Sequence, residues 1–223
     1  MRKPKESELP HSTLNWLAQV PMDRPVTVLL RHSARGPLPV GEDGSTVPLT
    51  ESGIELAREL GKRLRGRLCS LHTSPVLRCC QTATALMEGV GQSLPIISDQ
   101  CLGAPGVYVL DETKAWTNWL ERGHEGVISH LVSGDGALPG MAEPQAAARS
   151  LVKYMLGLAR RPGIHLFVTH DSLVAATAAR LLREEITSAD WPGYLEGAFF
   201  WQEHDFVRAA YRDWYQKASL ALD

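Results

Sequence analysis

The apolar positions of this chain change their spacing several times, and each change marks an element. Val26-Thr27-Val28-Leu29-Leu30 is apolar almost without a break, the pattern of a strand buried on both faces of a parallel sheet. Behind Thr50, a good N-cap, Ile54, Ala57, Leu60 and Leu64 recur at helical spacing. Leu68–Thr73 predicts a second strand. Ser74 as N-cap, with Pro75 at the first helical position, predicts a helix to about Met87 whose inner face carries Leu77, Cys80, Ala83 and Met87. Leu94–Ser98 predicts a third strand and Ile164–Thr169 a fourth. Between them a helix from Glu143 to Arg160 turns Ala147, Leu151, Tyr154, Met155 and Leu158 inward. The segment 172–184 is apolar nearly all round, as a buried helix is. At the ends of the chain, Leu14, Trp16, Leu17 and Val20 predict a short helix closed by Pro21. Tyr194–Gln202 and Phe206–Tyr211 predict a hairpin around Glu203-His204-Asp205.

Strands alternating with helices predict an α/β fold, a three-layer α/β/α sandwich with a mainly parallel sheet. We expect a single domain over 1–223, with a loose polar tail over 1–10 inside an N-terminal extension, 1–24. Residues 33–49 read as a Gly- and Pro-rich loop. The stretch 99–142 reads as an excursion from the sheet, a small lid with a helix near 112–122. Trp116 and Trp119 are expected to pack that lid on the body.

Composition narrows the partners. A net charge of −2 on 223 residues gives no attraction to nucleic acid or to an anionic membrane. No run approaches the roughly 20 apolar residues of a membrane span. The first nine residues lack the apolar stretch of a secretory signal. The four cysteines, Cys69, Cys79, Cys80 and Cys101, form no CxxC pair. Reduced thiols in a cytoplasm are the simplest expectation. No Cys/His spacing suits a metal, and no cofactor is expected.

The chemistry gathers at strand ends, where an open α/β sheet places its ligands. The first strand stops at Arg31-His32 and continues as Ser33-Ala34-Arg35-Gly36-Pro37. Two arginines flanking a histidine suit a bound oxyanion, most naturally phosphate, because guanidinium offers paired donors matched to its oxygens. The second strand ends at Thr73-Ser74-Pro75, with Arg78 just beyond. The fourth ends at Thr169-His170-Asp171, at a helix start whose free N–H groups and dipole favour anions. Ser33 and Thr169, beside these groups, are candidate phosphate ligands. His165 lies five residues before His170, so a strand points the two to opposite faces. His72 reads as structural, and His124 and His130 as solvent-facing.

Three ordered segments carry a resemblance to the histidine phosphatase superfamily, the phosphoglycerate mutase-like and histidine acid phosphatase group. They are Arg31-His32, Ser74-Pro75-Val76-Leu77-Arg78-Cys79-Cys80-Gln81-Thr82-Ala83, and Val168-Thr169-His170-Asp171; Leu49-Thr50-Glu51-Ser52-Gly53 is similar to the family's Leu-Thr-x-x-Gly helix start. The resemblance implies hydrolysis of a small phosphate ester through a phosphohistidine at His32, without a metal. It also implies that Arg31, Arg78 and His170 complete the phosphate pocket. Apart from Ser33 in place of glycine, Arg31–Pro37 and His170-Asp171 look like the acid-phosphatase branch, although the chain is short, as in the mutase-like branch. On that pattern Asp171 is the expected proton donor, with Asp111 or Glu112 from the lid as the substitute, and Arg35 an additional phosphate ligand. A phosphomutase, a phosphoprotein phosphatase and a non-catalytic phosphate-binding protein are the rival readings. Oligomeric state is left open.

Overall fold

A computed structural model describes residues 8–38, 44–184 and 186–220. Most of the tail expected over 1–10, and residues 39–43 of the loop expected over 33–49, lie outside the described residues. Four strands pair in parallel: β1 (Pro25–Arg31), β2 (Leu68–Thr73), β3 (Ile96–Ser98) and β4 (Gly163–Thr169). Three more, β5 (Gly197–Glu203), β6 (Phe206–Tyr211) and β7 (Trp214–Ala218), form an antiparallel meander joined to β1. The sheet order is β3-β2-β4-β1-β5-β6-β7, so β1 sits at its centre.

Helices cover both faces, as the α/β/α expectation requires. One face is covered by α1 (His11–Gln19), α2 (Glu51–Arg63) and α3 (Leu77–Val90); the other by α4 (Glu112–Ser133), α5 (Pro144–Leu158) and α6 (Asp171–Leu182). The central strands show why their sequences run apolar. Val28 and Leu30 of β1, in register with Leu166 and Val168 of β4, face the α1–α3 core, while Leu29 and its partner Phe167 face the α4–α6 core. Both faces are dry, so both parities must be apolar. The N-terminal helix α1 fastens to the far end of the chain: Trp16 Nε1 donates to Arg212 O at 2.7 Å, and Ser12 Oγ to a Glu196 carboxylate oxygen at 2.6 Å.

Several boundaries differ from expectation for identifiable reasons. Helix α3 begins at Leu77 with Val76 as its N-cap, two residues after the expected start. Ser74 does not cap it: the helix starts two residues later, and the Ser74 hydroxyl lies beside His170. The α6 N-cap is His170, with Asp171 as the first helical residue. Helix α4 reaches Ser133 but breaks at Gly123, whose φ of 68° and ψ of 173° lie outside the helical range. The expected terminal hairpin gains a third strand, β7, an edge strand with one exposed face. Among the described residues no helix is long and apolar enough to cross a membrane.

Candidate active site

The ends of three neighbouring strands are stitched together by backbone hydrogen bonds. Arg31 N–H donates to Glu196 O at 3.0 Å, His32 N–H to Thr169 O at 2.9 Å, and Ser74 N–H to Val168 O at 2.9 Å. His32, only 2% exposed, sits at the centre. Its Nδ1 lies 2.8 Å from Ser33 O, and Arg78 Nε donates to its Nε2 at 3.1 Å. A carbonyl only accepts and a guanidinium only donates. The proton of the neutral ring is therefore on Nδ1, and Nε2 carries the lone pair. Burial, then His170, Arg31 and Arg78, hold the His32 pKa well below the ordinary 6.5, with Ser33 O only partly opposing them.

His170 faces His32 edge-on, with ring centres 5.7 Å apart. Arg78 Nη2 lies 3.2 Å from its Nδ1, so that nitrogen accepts, and Nε2–H is left to donate to Ser74 Oγ at 3.3 Å. Burial and the Arg78 charge push the His170 pKa down to about 3. Arg78 thus spans both histidines, and its Nη1 donates to Gly44 O at 2.8 Å.

Asp171 pairs with Arg31, Oδ2 to Nη2 at 3.1 Å, and its Oδ1 accepts from Ser172 N–H at 2.9 Å. Burial raises its pKa, but Arg31, a hydrogen bond from Trp191 and the charge of His124 outweigh burial. The carboxyl ends below its ordinary 3.8. Arg31 also donates to Pro192 O at 2.6 Å and lies 4.2 Å over the Tyr194 ring. The loop carrying Trp191, Pro192 and Tyr194 is held by Arg212, which donates to Trp191 O at 2.7 Å and pairs with buried Glu196 at 2.9 Å. The Nε atoms of Arg31 and Arg35 are buried without a hydrogen-bond partner. The unpartnered guanidinium N–H of Arg35, which opens on the cavity, is donor chemistry that an oxyanion satisfies.

These groups open onto a cavity of about 860 Å³, whose lining includes His32, Arg35, Arg78, His170 and Asp171. Arg31 does not line it and stands behind, against Asp171 and Tyr194. Ser33 and Thr169 are not at the cavity, which corrects their expected role as phosphate ligands. Ser33 is fully buried, and its Oγ donates to Gly53 O at 2.6 Å. A side chain at Gly53 would put its Cβ 2.2 Å from Ala34 O, so α2 lies directly on the loop after β1 and the serine bolts it there. Thr169 Oγ1 donates to Leu102 O at 2.8 Å, tying β4 to the start of the excursion. Asp111 caps α4, accepting from Lys114 N–H at 3.1 Å, whereas Glu112 lines the cavity. Trp116, Trp119 and His124 line it as well, so the lid aromatics wall the site in addition to packing. His165 is held at the opposite end of β4 by Ser70 and Arg161 O, as its parity implied. Tyr194 and Trp191 were missed. Their only signal is an aromatic pair around Pro192-Gly193, in a stretch with no period.

A family model describing the histidine phosphatase superfamily (branch 1) matches residues 28–195. The chain belongs to that superfamily. The branch corrects the lean of the Arg31–Pro37 and His170-Asp171 segments toward the acid-phosphatase branch. Solved structures with the same fold include a mycobacterial glucosyl-3-phosphoglycerate phosphatase complexed with VO3 (TM-score 0.55, 22% identity, covering 86% of this chain and 98% of that one). A phosphoserine phosphatase from Entamoeba histolytica in complex with 3-phosphoglyceric acid has a TM-score of 0.57 at 15% identity, covering 87% and 97%. Bacillus stearothermophilus YhfR has 0.56 at 20%, covering 84% and 96%. No curated protein gives a significant match.

Proposed function

We propose that this protein is a phosphomonoesterase that hydrolyses a small phosphorylated substrate through a phosphohistidine on His32. The observation that carries the reading is the protonation state of that ring. Nδ1–H is pinned on Ser33 O, and a lone pair on Nε2 meets Arg78 in a buried cavity. A phosphate dianion entering beside Arg78 and Arg35 replaces the histidine as the partner of guanidinium N–H groups, and frees Nε2 to attack. The Nε2–P bond forms as the ester P–O bond breaks, and the leaving oxygen takes a proton from Asp171. Water then attacks phosphorus and gives its proton back to Asp171, so that phosphate leaves and the ring is regenerated. The guanidinium groups offset the dianion charge, the task a metal performs in other phosphoryl-transfer sites, and the scheme is written without a metal. The phosphatases that share the fold support this reading over a binding-only role.

Asp171 is taken as the acid because its carboxyl lines the cavity next to His170, with Glu112 on the same lining as the rival; it acts in its protonated minority form. Arg31 stabilises its carboxylate in the free protein, and a bound phosphate dianion makes its protonation easier. Rates of 4-nitrophenyl phosphate hydrolysis test the whole. His32→Ala is expected to lose at least about 10³-fold in kcat, and wild type quenched in alkaline detergent to carry an acid-labile, alkali-stable phosphate on His32. Equal rates for the two proteins would sink the reading. Return of the phosphoryl group to another position of the substrate, with a bisphosphate primer required and no phosphate released, would make the protein a mutase.

A further inference from the structure

Beyond the phosphate pocket, the cavity has a second character. Its walls come from the excursion and the turns beside it: Val109, Trp116, Trp119, Leu120 and Met141, with Leu173 of α6. About 860 Å³ is near the upper end of small-molecule sites, roughly 300–1,000 Å³, and far more than a phosphoryl group fills. Among the described lining residues the only Lys or Arg side chains are Arg35 and Arg78, and Arg78 is bonded to His32. Among the described residues no ammonium or guanidinium lies farther along the lining to receive a carboxylate or a second phosphate, and Glu112 on the wall repels one. Leu120 is 63% exposed although it faces a cavity, and Leu38 on the same lining is 39% exposed. Both have apolar surface that an occupant covers.

We propose, resting on the phosphomonoesterase reading, that the substrate is the monoester of an uncharged, mainly apolar alcohol, its chain lying against Trp116, Trp119 and Leu120. The reaction is balanced as ester plus water giving alcohol plus phosphate. Sugar phosphates and phosphorylated acids are poorer substrates, because polar groups laid against Trp116, Trp119 and Leu120 are desolvated there, and the uncharged polar partners on the lining are few: Ser45, Thr113 and Ser172, with His124.

Straight-chain alkyl phosphates from ethyl to octyl test this, because their leaving groups are chemically alike and only the contact with the wall changes. Full burial of a methylene corresponds to about a fourfold gain. We expect kcat/KM to rise at least about 100-fold across the series, with phosphoserine and glucose 6-phosphate no better than ethyl phosphate. Leu120→Asp, a change at an exposed position, should flatten the rise. A flat series in the wild type, or a preference for phosphoserine or glucose 6-phosphate, overturns the proposal and leaves the phosphatase reading intact. Calorimetry on His32→Ala reads the wall without turnover. Octyl phosphate binding at least about 50-fold tighter than inorganic phosphate supports the apolar site even if no ester is hydrolysed, and equal affinities reject it.

Discussion

The floor and the walls of the cavity are built on opposite principles. The floor is assembled from five separate stretches of chain, each side chain fixed by directional bonds: His32 by Ser33 O and Arg78, Arg78 by His170 and Gly44 O, Arg31 by Asp171 and Pro192 O. The walls come mostly from one excursion and are held by packing, with Val109 and Met141 paired in an isolated bridge and Trp119 against the α4–α6 core. Chemistry tolerates little displacement, so its groups are over-determined. Substrate preference needs only shape and wetting, so its groups are not.

This contrast can be broken at specific points. Arg78→Lys keeps a positive charge but cannot reach both histidines at once, and kcat/KM on 4-nitrophenyl phosphate should fall about 10²–10³-fold. A loss under tenfold would mean that charge, and not the two-pronged geometry, sets the floor. Asp171→Asn should slow alkyl phosphates about 100-fold and aryl phosphates less than about tenfold, since only a poor leaving group needs the proton. The carboxyl titrates below its ordinary value, so its protonated fraction grows as pH falls. His32, held well below 6.5, stays neutral meanwhile. Once the ester is a dianion, above its second pKa of about 6, wild-type kcat/KM on an alkyl phosphate should therefore decline from about pH 7 to about pH 9, and Asp171→Asn should lose that slope. If Glu112→Gln removes it instead, the acid belongs to the wall. Trp116→Ala should raise KM for octyl phosphate about tenfold, with kcat within about threefold. A kcat loss matching that of Arg78→Lys would erase the distinction between the two regions.

The floor was largely legible in the sequence because its residue types are chemically unusual for strand ends. Arg31-His32 after an apolar run and His170-Asp171 before a buried helix announce themselves, and the structure brings both together with Arg78. Ser33 and Thr169 misled for the same reason. They stand beside the reactive groups in sequence, but strand alternation and burial turn their hydroxyls to Gly53 O and Leu102 O. Ser74 was read through its preference for capping, but the helix starts after Val76 and the Ser74 hydroxyl is turned to His170. The support beneath Arg31 was not legible, because Trp191 and Tyr194 lie on an aperiodic loop whose position depends on a buried pair, the loop's own Glu196 with Arg212 of the turn after β6. The His32 tautomer is a property of assembled geometry and leaves no trace in sequence.

The central position of β1 has a consequence for how the molecule comes into being. Its two neighbours are β4 and β5, which begin at Gly163 and Gly197, although β1 itself ends at Arg31. Helices α2 and α3, by contrast, pack on each other within a short stretch of chain. Closing loops of that length is slow relative to local contacts. As the chain leaves the ribosome, the α2–α3 pair can form early, while the backbone N–H of His32 waits for Thr169 O until most of the polypeptide has been made.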